Sequence, residues 1–129
     1  MERSYLIDTN AVIELLGGTL PLSGSDWLQD IIAQNAHRLS VINEIELLGF
    51  NGEDTEMRVI EDFTAVTKAY PLSDAVVRKT ISLRKRRRIK LPDAIIAATA
   101  LIFDCILVTH NTSDFRDIEG LTVIDAHTR

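Results

Sequence analysis

The chain has 129 residues, the size of one compact domain that can bury a hydrophobic core. Hydrophobic residues make up 46% of it and Gly and Pro are few, which excludes a disordered or fibrous protein. A formal net charge of −5 argues against a general nucleic-acid-binding protein, because neutralising phosphates requires Lys and Arg.

The first half of the chain alternates between predicted strands and helices. SYLI is a predicted strand that ends before Asp8, and TNAVIELLGG a predicted helix, capped by Thr9 or Asn10 and ended by its Gly pair. GSDWLQDIIAQNA predicts a second helix with Ser25 as its N-cap. RLSV predicts a strand, and INEIELLGF a third helix that ends near Gly49.

The second half continues this alternation. Apolar residues recur at helical spacing from Glu53 to Lys68, and AYPL is the next predicted strand. Ser73 is expected to cap the helix DAVVRKTISLRKRRR, and Pro92 lies in the first turn of the helix LPDAIIAATA. CILVT and LTVIDA are predicted strands. The pattern predicts an α/β protein with a parallel sheet covered by helices on both faces, as a single domain over residues 1–129.

Cysteine and hydropathy patterns indicate the compartment. The one cysteine, Cys105, has no partner for an intrachain disulfide and lies in an apolar stretch, so we expect a buried, inert thiol in a reducing environment. The start, MERSYLIDTN, lacks the apolar region of a signal peptide, and the run AIIAATALIF is shorter than the roughly 20 residues of a membrane span. We therefore expect a cytoplasmic protein that is not anchored in a membrane.

Three aspartates lie where predicted strands end or a predicted helix begins. Asp8 ends the first strand, Asp114 follows the strand CILVT, and Asp93 is in the first turn of LPDAIIAATA. Open parallel sheets bind ligands at the carboxyl ends of their strands, so these carboxylates are expected to face one crevice. Two local roles are alternatives: Asp93 could simply favour a helix N-terminus, and Asp114 could cap a short helical turn.

The helix INEIELLGF offers a fourth carboxylate, from Glu44 or Glu46. A helix separates these two side chains by about 200°, so only one can face the site, and periodicity does not choose between them. Because the helix is apolar on nearly all sides, we expect it to be buried. A buried carboxylate needs a partner.

A group of carboxylates also requires a positive charge. Two of them ~4 Å apart repel by roughly 4 kcal/mol at an effective dielectric of about 20. The cation closest in sequence to Asp93 is Lys90, three residues before it. Either the site takes up protons or a divalent cation fills it. Oxygen ligands without Cys or paired His favour Mg²⁺ or Mn²⁺ over Zn²⁺.

Four segments resemble the PIN-domain ribonucleases of the VapC type, the toxin half of type II toxin–antitoxin pairs: YLIDTNAVIELL, SVINEIELLG, KLPDAIIAATAL and LVTHNTSDFRDIEGLTVID. They follow the family's order and spacing over nearly the whole chain. The resemblance implies an α/β/α sandwich with a central parallel sheet. It also implies an endoribonuclease that depends on Mg²⁺ or Mn²⁺, uses metal-activated water and leaves a 5′-phosphate and a 3′-hydroxyl.

The resemblance assigns the catalytic and metal-binding residues as Asp8, Glu46, Asp93 and Asp114. Glu46 is selected over Glu44 because the family's glutamate follows the pattern Ser-x-x-Thr-x-x-Glu, counted here from Ser40. Two departures are visible: Asn43 replaces the expected Thr, and Gly49 comes one position early.

Polar residues that match positions beside the family's acidic cluster are Thr9, Asn10, Thr109 and Asn111. The basic segment RKRRRIK, residues 84–90, could hold RNA near the acids, although a solvated helix end explains it equally well. The resemblance further implies an RNA substrate, a small antitoxin that covers or fills the acidic cleft, and a homodimer.

Other functions remain as alternatives. A PIN-like module could bind RNA or an antitoxin without cutting. A phosphatase of the haloacid dehalogenase type requires a second Asp two residues after the first, where Asn10 stands. A receiver domain requires an acidic pair after the first strand and an acceptor aspartate after the third, and neither pattern is present.

Overall fold

The computed structural model describes residues 3–129. Strands and helices alternate through this part of the chain. They are β1 Tyr5–Ile7, α1 Thr9–Gly17, α2 Leu22–Ala33, β2 His37–Ser40, α3 Val41–Leu48, α4 Asp54–Ala65, β3 Ala69–Tyr70, α5 Asp74–Arg86, α6 Leu91–Ile102, β4 Ile106–Val108 and β5 Val123–Ile124. Two 3₁₀ turns, Thr112–Phe115 and Ala126–Thr128, flank β5.

The five strands form one parallel sheet in the order β3-β2-β1-β4-β5, which confirms the predicted architecture. Tyr5 at the start of β1 pairs with His37 of β2 on one side and Ile106 of β4 on the other. From β1, the chain adds β2 and β3 on one side of the sheet and then β4 and β5 on the other side. The carboxyl ends of β1 and β4 flank the point where the strand order reverses, the usual ligand crevice of such a sheet.

Each face of the sheet packs against its own set of helices. Successive strand residues point to opposite faces, so in β1 Leu6 contributes to one core and Ile7 to the other. The Leu6 core contains the buried faces of α5 and α6, whereas the Ile7 core contains those of α1, α2 and α4. These cores hold the strand ends at fixed positions relative to the helix starts, and that is where the acidic residues lie.

Two predicted helix starts are wrong. The N-cap of α1 is Asp8, whose carboxylate accepts a hydrogen bond from the Thr9 backbone N–H, rather than Thr9 or Asn10. Helix α2 begins at Leu22 and not after Ser25, because Pro21 already supplies the backbone geometry of a helix start.

The burial expected for α3 is also wrong. Leu47 is fully buried, but Ile45 is 60% exposed and Leu48 is 48% exposed. Helix α3 crosses the end of the sheet, where it contributes to both cores and leaves part of its apolar surface to solvent. Glu46 is therefore an exposed residue and not a buried charge.

The other local predictions agree with the structure. Ser73 caps α5, Pro92 is in the first turn of α6, and Gly18 takes the left-handed conformation that ends α1. Cys105 is a buried free thiol. No helix within residues 3–129 combines the length and the hydropathy that crossing a membrane would require. One domain over residues 1–129 stays a prediction.

Candidate functional site

Asp8 is the most firmly held acid of the site. Its backbone N–H donates to the Val108 carbonyl at 2.9 Å, which fixes the end of β1 against β4. Its Oδ2 accepts a hydrogen bond from the Thr109 hydroxyl at 2.7 Å, and its Oδ1 accepts from the Thr9 N–H at 2.9 Å and the Asn43 amide at 3.4 Å. Both carboxylate oxygens therefore have positions set by neighbouring elements.

Glu46 joins this network through Thr9. The Thr9 hydroxyl donates to Oε1 of Glu46 at 2.6 Å and accepts from the Asn43 side-chain amide at 3.1 Å. The same amide nitrogen reaches Asp8, so a buried polar chain connects the two acids. Glu44 makes no side-chain hydrogen bond within residues 3–129. The structure thus places Glu46, and not Glu44, beside Asp8.

Asn43 is a site residue whose role the sequence did not reveal. It is fully buried, and its Oδ1 accepts hydrogen bonds from the Ser40 N–H at 3.0 Å and the Ser40 hydroxyl at 2.7 Å. These bonds close a capping box at the start of α3 and orient the amide nitrogen toward Asp8 and Thr9. The three-residue spacing of Ser40 and Asn43 is the sequence signal for this capping box. The resemblance to the family showed Asn43 only as a replacement of the expected Thr.

Asp93 lies in the first turn of α6 and is half-buried. Burial is the main reason that the pKa of Asp93 is raised above its ordinary value, and the charges of Asp114, Asp8 and, more weakly, Glu46 raise it further. Lys90 acts in the opposite direction. The structure therefore brings the four predicted acids into one electrostatic environment.

Asp114 is placed by the loop after β4. It lies in the 3₁₀ turn Thr112–Phe115 and accepts a hydrogen bond from the Asn111 side-chain amide. The Asn111 backbone N–H in turn donates to the Thr109 hydroxyl at 3.1 Å, the same hydroxyl that donates to Asp8. Thr109 therefore couples the loop that carries Asp114 to the end of β1.

The donor set fits a hard divalent cation. Its ligand atoms are carboxylate oxygens, and Asn and Thr side chains surround them, which favours Mg²⁺ or Mn²⁺. No group of three or more Asp, Glu, His or Cys side chains in the described part of the chain is arranged to hold a metal ion by itself.

Two histidines lie apart from the acidic network. His110 pairs with Asp125 at 3.0 Å, His127 pairs with Glu14 at 3.0 Å, and their rings stack with centroids 3.9 Å apart. Neither ring makes a hydrogen bond to the four predicted acids within residues 3–129. His110 is exposed in the loop after β4.

Comparisons with known proteins give a family model and a similar ribonuclease. Residues 5–121 match the family model of the PIN domain. Ribonuclease VapC10 of Mycobacterium tuberculosis is 29% identical over 121 residues, which cover 90% of this chain and 89% of that protein.

Solved structures show the same fold. A toxin–antitoxin complex from Klebsiella pneumoniae contains a chain with 27% identity and a TM-score of 0.74, covering 95% of this chain and 98% of that one. VapBC-1 from nontypeable Haemophilus influenzae gives 26% identity and a TM-score of 0.74, with 97% and 98% covered.

Proposed function

The chain belongs to the PIN-domain family, and from this premise we propose that it is a metal-dependent endoribonuclease, the toxin of a type II toxin–antitoxin pair. One observation carries the proposal: Asp8 and Glu46 are joined by a buried polar chain at the point where the strand order reverses. The similar VapC ribonuclease and toxin–antitoxin structures support the same activity.

Four acids receive roles in this proposal. Asp8 and Asp93 would hold Mg²⁺ or Mn²⁺, with Glu46 and Asp114 completing the coordination or orienting water. The bound cation would acidify a water molecule and offset the charge that develops on the phosphate oxygens. The support is the shared oxygen-donor environment and the raised pKa of Asp93, which burial and then the Asp114 and Asp8 charges cause.

The surrounding polar residues would keep this arrangement rigid. Thr109 and Asn43 use their hydrogens on different oxygens of Asp8, which leaves that carboxylate little freedom to rotate. Thr9 uses its only hydroxyl hydrogen on Glu46, because Asn43 supplies the hydrogen bond that Thr9 accepts. Preorganised acids need little rearrangement when a cation and an RNA phosphate arrive.

An apolar groove between α1 and α4 supports the antitoxin as a partner. It has a volume of about 220 Å³, and its lining consists of the apolar residues Ile13, Leu16, Val59 and Ile60 together with Gly17, Thr55 and Glu56. Val59 is 46% exposed, and Ile45 on the neighbouring α3 is 60% exposed. We assign this groove to an amphipathic helix of the antitoxin, in addition to the antitoxin segment expected to cover or fill the acidic cleft, because amphipathic helices commonly bind in apolar grooves. The homodimer stays a prediction.

The activity is tested with purified protein free of antitoxin. It is incubated with structured RNA and Mg²⁺ or Mn²⁺, with a chelator in the control, and circular dichroism verifies folding. We expect cleavage only with the divalent cation. RNA that stays intact at high protein concentration, with folding verified, would instead indicate the module that binds without cutting. Sequencing the fragment ends after induced expression identifies the RNA.

A further inference from the structure

The basic segment 84–90 and the acidic site share one pocket. This pocket has a volume of about 350 Å³ and lies between the end of α5, the start of α6 and the 3₁₀ turn Thr112–Phe115. Arg87, Arg88 and Lys90 line this pocket together with Asp93 and Asp114. The volume is within the range of small-ligand pockets, about 300–1,000 Å³. A single pocket therefore presents cations directly beside the proposed metal ligands.

Arg87 differs from the other arginines of this segment in how it is held. It is half-buried, whereas Arg84, Arg86 and Arg88 are exposed. Its Nη1 donates a hydrogen bond to the backbone carbonyl of Arg116, at the end of the turn that carries Asp114. This bond ties the guanidinium to the turn that carries Asp114 and restricts its motion. Arg87 is thus more ordered than an arginine on a solvated helix end.

The guanidinium of Arg87 keeps unused donors. Its Nε is buried and has no hydrogen-bond partner within residues 3–129. Of its five N–H donors, the bond to the Arg116 carbonyl uses one. A buried unpaired donor is costly, and the Nη hydrogens that the Arg116 bond does not use match the oxygens of a phosphate in the planar fork of an arginine. The chemistry of Arg87 therefore points to a phosphate.

Electrostatics explain why the site requires such a cation. The acids repel an RNA backbone over about a Debye length, ~8 Å at physiological ionic strength. A metal ion at Asp8 and Asp93 offsets this repulsion at the scissile phosphate only. An adjacent phosphate of the same strand would lie within the same range of the acids and would need a positive charge of its own. Arg87, Arg88 and Lys90 are the cations that line this pocket together with Asp93 and Asp114, and Arg87 is the half-buried one of the three.

We propose that Arg87 binds the RNA phosphate adjacent to the scissile one, in the pocket that it shares with Asp93 and Asp114, with Lys90 as a second cation. This inference rests on the proposed ribonuclease function, because it assigns a second phosphate to the same site. Arg87 would position the strand and take no part in bond cleavage.

Binding of a labelled single-stranded RNA tests the assignment. The measurement uses Asp8→Asn protein, expected not to cut, at several salt concentrations. Losing one phosphate contact lowers the slope of log affinity against log salt by about 0.7 for a single strand. We expect this change, with roughly tenfold weaker binding, for Arg87→Gln. Arg78→Gln is the matched control, since Arg78 is exposed on α5 and outside this pocket.

Kinetics in the parent protein separate substrate binding from a structural role. Arg87→Gln should raise KM and leave kcat nearly unchanged. Arg87→Lys should recover the salt slope but only part of the affinity, because Lys lacks the planar fork. If Arg87→Gln matches Arg78→Gln in salt slope, or lowers kcat with KM unchanged, Arg87 only supports the Asp114 turn and the assignment is overturned.

Two further outcomes are distinguishable. If Arg87→Gln does not fold, Lys90→Gln carries the test, with the same reduction in slope expected and an unchanged slope counting against the assignment. Failure of the ribonuclease proposal looks different: folded parent protein with Mn²⁺ leaves RNA intact. In that case, a lower salt slope for Arg87→Gln than for Arg78→Gln would still support the phosphate site. Equal slopes for the two variants would reject the phosphate site.

Discussion

The buried amide of Asn43 in α3 donates a hydrogen bond to Oδ1 of Asp8 at the end of β1, at 3.4 Å. The same nitrogen donates to the Thr9 hydroxyl, and the oxygen of the amide accepts from Ser40. One side chain therefore fixes the start of α3, the carboxylate of Asp8 and the hydroxyl that donates to Glu46.

Replacing Asn43 by Ala should weaken both the fold and the site. Buried donors and acceptors on Ser40 and Thr9 would lose their partner, which costs about 1–3 kcal/mol of unfolding free energy. Residues that orient metal ligands typically contribute 10–100-fold to metal affinity, so Mn²⁺ binding should weaken by about that factor. Urea unfolding and calorimetric Mn²⁺ titration measure the two effects. Unchanged Mn²⁺ affinity would contradict the orienting role of Asn43.

Asp8→Asn should abolish cleavage and preserve the fold. The substitution keeps the shape of the side chain but removes a charge at the proposed cation site. We expect the cleavage rate to fall by at least about 100-fold, more than for an orienting residue. Labelled RNA with Mn²⁺ reports the rate, and circular dichroism with antitoxin binding reports the fold. Cleavage at the parent rate would remove Asp8 from the site.

Glu46→Gln and Glu44→Gln form a matched pair on the same helix. Glu46 accepts the Thr9 hydroxyl at 2.6 Å, whereas Glu44 is outside the network. Glu46→Gln should slow cleavage by about 100-fold, and Glu44→Gln should change it by less than about twofold. Single-turnover cleavage at saturating protein measures both variants. Equal losses would show that cleavage depends on the total negative charge of α3 and not on the hydrogen bond between Glu46 and Thr9.

Most elements of the sheet could be predicted because their signals are local. The strands are short apolar runs bounded by polar residues, and Ser73 and Pro92 mark helix starts through their own chemistry. Asp8 was predicted as a site residue but not as the cap of α1, because a capping role and a ligand role favour the same residue type at the same position.

The features that could not be predicted depend on distant contacts. Strand order is set by which strands pair, and no residue of β1 specifies β4 as its neighbour. The exposure of Ile45 follows from where α3 crosses the end of the sheet, which the apolar composition of α3 does not encode. Asn43 was overlooked because its amide serves three partners on different elements.

Val59→Asp should weaken antitoxin binding without unfolding the protein. Val59 lines the groove between α1 and α4 and is 46% exposed, so a charge there opposes an apolar helix but remains solvated. We expect at least about tenfold weaker binding, as for central residues of an interface. Val66→Asp is the control, because Val66 is 80% exposed and lies outside the groove. Copurification and calorimetry with the antitoxin compare the two, and equal affinities would reject the groove.

Asp93→Asn should stabilise the metal-free protein at neutral pH. Burial first, then the charges of Asp114 and Asp8, raise the pKa of Asp93 above the ordinary value of 3.8. The folded state therefore holds the Asp93 proton more tightly than the unfolded state. Stability from this group is fully present below the ordinary pKa and is lost as the pH rises through the raised pKa. An Asn at this position does not ionise, so the variant keeps the stability that the parent loses. The gain in stability should be small, because solvent partly screens the charge of Asp93.

Manganese should reverse the order of stability of the parent protein and Asp93→Asn. A cation that binds only the folded state raises its stability by mass action, and an ionised Asp93 is needed to hold that cation. At pH 7 with chelator, Asp93→Asn should therefore have a higher Tm than the parent. At pH 7 with Mn²⁺, the parent should have the higher Tm. Below the ordinary pKa of 3.8, with chelator, the two proteins should unfold together. A parent that is more stable even with chelator would show that Asp93 serves only as a favourable first-turn charge on α6.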